Sequence, residues 1–299
     1  MTAAREGQTF AGGSLLVSYV NFVKLPHTVF ALPFALVGAT LASYVAPVTP
    51  ALLGWIVLAF TAARFAAMGF NRIVDREIDA ANPRTATREI PSGALSVTAA
   101  GAAVLLASAL FLFASYRINA LCFMLAPLAL GWVLLYSYTK RFTRLSHLVL
   151  GVGLAIAPVG GYLAVTGAWS TPWWLLVALA SAVAAWVAGF DILYSLQDVE
   201  FDRSQRLYSI PVALGEPRAL TLARALHALA VFSLSAAGFA VGAGIPYWVG
   251  VGVVAFLLGY EHSLVSPGDL SKLNAAFFTM NGVISIAFFG FVLLERMLA

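Results

Sequence analysis

Two stretches set carboxylates three and four residues apart beside long apolar runs. They are Asn71-Arg-Ile-Val-Asp75-Arg-Glu-Ile-Asp79 and Asp191-Ile-Leu-Tyr194-Ser-Leu-Gln197-Asp198-Val-Glu200-Phe-Asp202. Residues four apart on a helix stack on one face, about 6 Å from one another. The spacing therefore predicts one polar stripe of Asn71, Asp75 and Asp79, and a second of Asp191, Tyr194, Asp198 and Asp202. Acidic stripes at the ends of membrane helices are costly unless they hold cations. Paired carboxylates that offer only oxygen suit Mg²⁺, which keeps several waters and bridges to a substrate phosphate. The pattern points to chemistry on a diphosphate at a membrane surface, with one Mg²⁺ per stripe clamping the diphosphate between them.

The rest of the chain has the composition needed to put those stripes there. Of 299 residues, 61% are hydrophobic and only 10% charged, with a mean hydropathy of +0.91. Soluble domains carry about 25% charged residues, so an integral membrane protein is expected. Stretches of about 20 apolar residues suffice to cross a bilayer. Nine are read, at 27–46, 51–71, 96–115, 119–138, 146–167, 172–194, 219–242, 246–265 and 273–294. The expected fold is an all-α polytopic bundle around a central cavity, forming a single domain over 1–299, with 1–13 as a flexible polar segment. No short apolar stretch with a cleavage site follows that segment, so no cleavable signal is expected. Cys122, the one cysteine, falls inside a span and reads as a packed thiol that can form no intrachain disulfide. The two acidic pairs, Asp75/Asp79 and Asp198/Asp202, each follow a span and precede an Ile-Pro step, a faint repeat that would bring the stripes face to face.

The net charge of +4 does not indicate nucleic acid, because of where the charges lie. The links after spans two, four, six and eight carry Arg72, Arg76, Arg84, Arg88, Lys140, Arg141, Arg144, Arg203, Arg206, Arg218 and Lys272, whereas the opposite links carry only Arg117. That is the positive-inside asymmetry, which places both acidic stripes on the cytoplasmic side of a bacterial inner membrane. Several cations share that face with the stripes. Arg64 lies seven residues before Asn71 on the same helical face, deep enough to require a polar cavity. Lys140-Arg141 at the end of the fourth span reads either as a snorkelling anchor or as a phosphate-neutralising pair. Lys24 is a candidate contact for substrate or anionic lipid. The loop 80–95, with Pro83, Pro91 and Gly93, is long for this chain and reads as a cap carrying Arg84 and Arg88 over the site. His147, His227 and His262 show no metal-ligand spacing and are assigned no chemistry.

At these residues the chain resembles the UbiA superfamily of intramembrane prenyltransferases. The resemblance rests on Asn71/Asp75/Asp79, on Asp198/Asp202, and on a span layout that covers nearly the whole chain. The strings Asn82-Pro-Arg84-Thr-Ala-Thr-Arg88-Glu-Ile-Pro-Ser-Gly93, Asp191-to-Asp198 and Lys140-Arg141-Phe-Thr143 look like the hydroxybenzoate polyprenyltransferase branch and its menaquinone-pathway relatives. Arg72 departs from the pattern, since many members carry Asp after the asparagine. The resemblance implies Mg²⁺-dependent transfer of a polyprenyl chain from its diphosphate to a hydroxylated aromatic acid like 4-hydroxybenzoate in quinone biosynthesis, with a dihydroxynaphthoate of menaquinone biosynthesis as the alternative acceptor. Asp75, Asp79, Asp198 and Asp202 would hold metal, with Asn71 near the reacting end. Lys140, Arg141, Arg64 and Arg88 would neutralise the leaving diphosphate. Arg72, Tyr194 and Lys24 would contact substrate, and Asp191 would orient the acceptor or take a proton. The partners expected are these substrates and the bilayer, with no obligatory protein partner. An ion-coupled transporter is the rival from another class, but transporters place their carboxylates near the midplane beside interrupted helices. A phosphatidyltransferase would need an Asp-Gly-x₂-Ala-Arg motif, and the chain has none.

The charge asymmetry makes a topology prediction. Single cysteines near Asp79, Lys140 and Asp202, in a Cys122→Ser background, should resist an impermeant thiol reagent applied to whole cells. Labelling from outside at two of the three would overturn the arrangement.

Overall fold

Polar residues start the helices where the sequence leaves the apolar runs. In the computed structural model, which describes residues 14–270, 273 and 280–299, Ser14, Thr49, Ser96 and Asn119 each cap a helix by accepting a backbone N–H, at 3.3, 3.2, 3.1 and 2.8 Å. Such caps satisfy donors that the helix itself leaves unpaired. The helices are α1 (Leu15–Phe22), α2 (Leu25–Ala42), α3 (Pro50–Val74), α4 (Arg76–Ala81), α5 (Val97–Ile118), α6 (Ala120–Thr139), α7 (Ser146–Thr166), α8 (Trp174–Ser195), α9 (Val199–Ser204), α10 (Ile210–Leu214), α11 (Glu216–Val241), α12 (Ile245–Ser263) and α13 (Asn281–Leu298). No strand occurs among the described residues, so the all-α expectation holds.

Seven of these helices, α3, α5, α6, α7, α8, α11 and α13, are long and apolar enough to cross a bilayer. That is short of the nine spans expected. At 27–46, α2 contributes the apolar stretch Ala31–Ala42. At 246–265 lies α12, with 19 residues and the polar end Glu261-His262. The span expected at 273–294 runs partly through residues outside the described ones, and Lys272 and the segment 1–13, expected to be flexible, also lie outside them.

Packing places α8 at the centre. The segment Trp174–Ser204 is 67% buried over its apolar window, against 11% for α6, which therefore faces lipid. Helix α8 packs on α7 and α11, α2 on α7 and α13, and α3 on α5. With lipid as apolar as the helices themselves, close approach rather than hydrophobic burial holds such bundles together. The α2–α7 seam shows this. A Cβ on Gly161 would strike the carbonyl oxygen of Ala35, and one on Gly38 would strike that of Pro158.

The two ends of the bundle differ. At one end Arg296 donates to Ser43 Oγ at 2.7 Å and lies 4.8 Å over the Tyr44 ring, while Glu295 accepts from Gly244 N–H at 2.6 Å. These contacts tie the end of α13 to the α2–α3 and α11–α12 turns. The alternation of helix direction gathers the links carrying the acidic stripes at the other end.

The seam generates a paired prediction. Gly161→Val should cost about 3 kcal/mol, because an added branched side chain must displace backbone. Gly160→Val meets nothing within 4 Å and should be tolerated. Unfolding midpoints in mixed micelles would distinguish the two, and equal midpoints would contradict the close approach.

Candidate active site

The acidic stripes are not straight helical faces. Each long helix breaks at the first carboxylate of its pair and restarts as a six-residue helix that carries the second. Asp75 ends α3 with φ −89° and ψ 5°, and α4 then holds Asp79. Asp198 closes a 3₁₀ turn, Leu196–Asp198, with φ −104° and ψ 3°, and α9 then holds Asp202. The two halves share one local design, and this supports the faint repeat. The continuous i,i+4 stripes of the sequence reading are thus bent in the middle.

Cations meet every bend. Asp75 is buried and accepts from Asn71 Nδ2 at 3.0 Å, Lys140 Nζ at 2.9 Å and Arg141 Nη2 at 2.8 Å. Asp79 accepts from Arg88 Nη1 at 2.7 Å through Oδ1, while its Oδ2 is buried with no hydrogen-bond partner. Arg84 forks onto Asp198 with Nε–Oδ1 at 3.0 Å and Nη2–Oδ2 at 2.6 Å, and also donates to the Tyr194 hydroxyl at 3.0 Å. Asn82 Nδ2 adds a donor to Asp198 at 3.3 Å. The loop 80–95 therefore crosses from the first motif to the second, as a cap should. Asp202 lies within electrostatic reach of Asp198, Lys140 and His147. The Lys140 carbonyl accepts from Tyr208 N–H at 2.8 Å, joining the end of α6 to the turn after α9.

Beneath these groups lies a cavity of about 420 Å³. Lys24, Arg64, Asn71, Arg72, Arg88, Asp191 and Tyr194 line it, so seven of the thirteen expected site residues share one space. Asp75, Asp79, Lys140, Arg141, Asp198 and Asp202 are not part of its lining. Asp79 pairs with Arg88 on the lining, Asp75 with its partners Lys140 and Arg141 joins it through Asn71, and Asp198 joins it through Arg84 and the Tyr194 hydroxyl. Most of the remaining wall is apolar, including Phe60, Met68, Leu154 and Trp186. Arg64 Nε is buried with no hydrogen-bond partner.

Four residues of the site had no sequence signal that named their role. Arg84 and Asn82 sit in the quoted loop string, but their partner is more than a hundred positions away. Tyr136 lines the cavity. His147, to which no chemistry was assigned, places Nδ1 2.7 Å from Asp191 Oδ2. His227 and His262 are in contact, with Nε2 of His262 3.0 Å from Nδ1 of His227, outside the cavity lining. Gln197 bonds locally to the Tyr194 carbonyl at 2.8 Å.

Among the described residues, no three Asp, Glu, His or Cys side chains converge closely enough to hold one ion. The donor set nevertheless fits a hard divalent cation. All four acidic groups offer oxygen, and Asp79 Oδ2 is a buried lone-pair site left over.

The sequence profile of the UbiA prenyltransferase family matches residues 31–283. A 4-hydroxybenzoate octaprenyltransferase of Alcanivorax borkumensis is 32% identical over 206 residues, 68% of each chain. Its counterpart from Klebsiella pneumoniae is 28% identical over 79% of this chain and 82% of that one. The apo structure of a UbiA homolog from Aeropyrum pernix superposes with a TM-score of 0.82 at 34% identity, covering 90% of this chain and 98% of that one. A UbiA homolog from Archaeoglobus fulgidus, bound to DMAPP and Mg²⁺, shares the fold at a TM-score of 0.73 and 19% identity, covering 94% of this chain and 100% of that one.

The Arg84–Asp198 fork makes a prediction about the cap. Removing one partner of a largely buried pair costs about 3 kcal/mol because the other charge is stranded. Arg84→Met should therefore destabilise strongly, and Arg84→Met with Asp198→Asn less than the sum of the two single changes. Additive losses in an unfolding titration would mean that the fork does not join the two halves.

Proposed function

The chain belongs to the UbiA prenyltransferase family and is an integral membrane enzyme, a prenyltransferase; we propose that it transfers a polyprenyl group to a hydroxylated aromatic acid. The donor is a polyprenyl diphosphate and the acceptor 4-hydroxybenzoate, in ubiquinone biosynthesis at the cytoplasmic face of a bacterial inner membrane. The observation that carries this reading is the meeting of the two carboxylate motifs, cross-linked by cations, over a mainly apolar cavity that also holds Arg64, Asn71 and Asp191.

Asp75, Asp79, Asp198 and Asp202 are the residues that would hold Mg²⁺. Bound there, Mg²⁺ would supply neutralisation of the diphosphate oxygens as they take up charge. The chain's own side chains do the rest. Arg88, Lys140 and Arg141 now pair with carboxylates, and the same donors pass to phosphate oxygens when substrate enters, with Arg72 and Lys24 beside them. Asn71 holds Asp75 from the cavity side, near the reacting carbon, and Tyr194 is set in place by Arg84. The apolar wall accommodates the tail and keeps water from the allylic cation. A buried guanidinium with an unmet donor needs an anion, and Arg64 suits the planar carboxylate of the acceptor. Asp191 faces the same space and orients the acceptor or takes its ring proton.

Purified protein with Mg²⁺ and a long-chain prenyl diphosphate should prenylate 4-hydroxybenzoate when offered that acid, a dihydroxynaphthoate and glycerol phosphate in parallel. Asp75→Asn and Asp198→Asn should each lower turnover on the order of 100-fold. Transfer to the naphthoate alone would move the acceptor to the menaquinone side, and transfer to glycerol phosphate alone would remove the aromatic reading altogether.

A further inference from the structure

His147 stands in the first turn of α7, almost fully buried, with both ring nitrogens engaged. Nε2 is 3.3 Å from the backbone N–H of Ile210, the first residue of α10. A backbone N–H can only donate, so Nε2 is the acceptor. A neutral imidazole has one acceptor and one donor nitrogen, so the hydrogen sits on Nδ1 and is donated to Asp191 Oδ2 at 2.7 Å. The Ile210 N–H is one of the donors that a helix leaves unpaired in its first turn. The start of α10 thus sets the tautomer of His147, and His147 in turn occupies one oxygen of Asp191. The other oxygen, Oδ1, makes no hydrogen bond among the described residues, and Asp191 lines the cavity.

We propose that His147 is a positioning residue that fixes the Asp191 carboxylate to receive the proton lost from the acceptor ring. This rests on the aromatic-acceptor reading above. The lone pair of His147 is already committed to Ile210, so the free lone pairs of the couple belong to Asp191 Oδ1. The allylic C–O bond breaks with its electron pair leaving on the diphosphate. A ring carbon ortho to the hydroxyl supplies the pair for the new C–C bond. The proton on that carbon passes to Oδ1, and the C–H pair restores the aromatic ring.

Two substitutions separate positioning from packing. His147→Ala removes both hydrogen bonds. His147→Asn puts an amide N–H near the place of Nδ1, keeping the donor to Asp191 while giving up the acceptor for Ile210. With 4-hydroxybenzoate deuterated ortho to its hydroxyl, His147→Ala should lower kcat on the order of tenfold, leave KM for the prenyl diphosphate unchanged, and raise the ring-deuterium isotope effect to about 2 or more. His147→Asn should recover most of kcat and lose that isotope effect. Equal losses in both variants, with no isotope effect, would make His147 a packing residue and overturn the proposal. A second readout does not depend on the acceptor. Nitrogen-15 spectra of histidine-labelled protein in micelles should show the His147 signal, identified by its loss in His147→Asn, as the Nδ1–H tautomer. The Nε2–H tautomer would overturn the proposal even if turnover is normal. Failure of the wild-type protein to prenylate either aromatic acid would instead sink the acceptor reading, with the tautomer still deciding whether His147 holds Asp191.

Discussion

A charge in the membrane must be cancelled where it stands, and this constraint organises the whole arrangement at the end of the bundle that carries the two acidic motifs. Asp75 is nearly inaccessible yet receives two cations and an amide, and Asp198 receives an arginine fork. None of these groups sits in isolation, because the cost of stranding one is several times the net value of the pair. The partners come from different parts of the chain: α3, the loop after α4, the end of α6 and the 3₁₀ turn after α8. Satisfying the charges therefore also assembles the site. The helix breaks at Asp75 and Asp198 belong to the same requirement, since they bend each acidic pair around the place where cations collect.

Much of this was legible in the sequence, and for physical reasons. Apolar stretches of membrane length announce helices whatever they pack against, so most helices lie close to their expected positions. The carboxylates at i,i+4 beside such stretches announced a polar site, because no other arrangement makes intramembrane acids tolerable. Less was legible where the partner is remote. Arg84 gives no hint of Asp198, which lies 114 positions on, and His147 gives none of Asp191, 44 positions on. The breaks at Asp75 and Asp198 were invisible too, with neither Pro nor Gly at either point to mark them. The span count suffered at α12, where Glu261 and His262 dilute the apolar signal of a 19-residue helix.

Membership of the family and the geometry of the site carry separate weight. The family establishes the kind of reaction and the fold. The geometry distinguishes groups that face the cavity, such as Arg64, Asn71 and Asp191, from groups that act on it through another side chain, such as Arg84 and His147. A list of motifs alone would merge the two sets, although only one of them faces the cavity. On the proposed reading, loss of a cavity-facing group would remove a contact to substrate, whereas loss of a supporting group would let such a contact wander.

The bundle is hooped at both ends and left unhooped at its waist. One hoop is the ring of ion pairs around the two acidic motifs, and the other is the clasp of Arg296 and Glu295 on the opposite turns. Between them the α2–α7 seam is stitched by glycines, but the cavity wall is built mainly of side chains that offer only shape and no directional bond. The bore of the waist can therefore be recut by exchanging one apolar residue for another without loosening either hoop. On the proposed reading, the identity of the reacting head and the calibre of the tail would be written in separate alphabets, one of charge and one of volume.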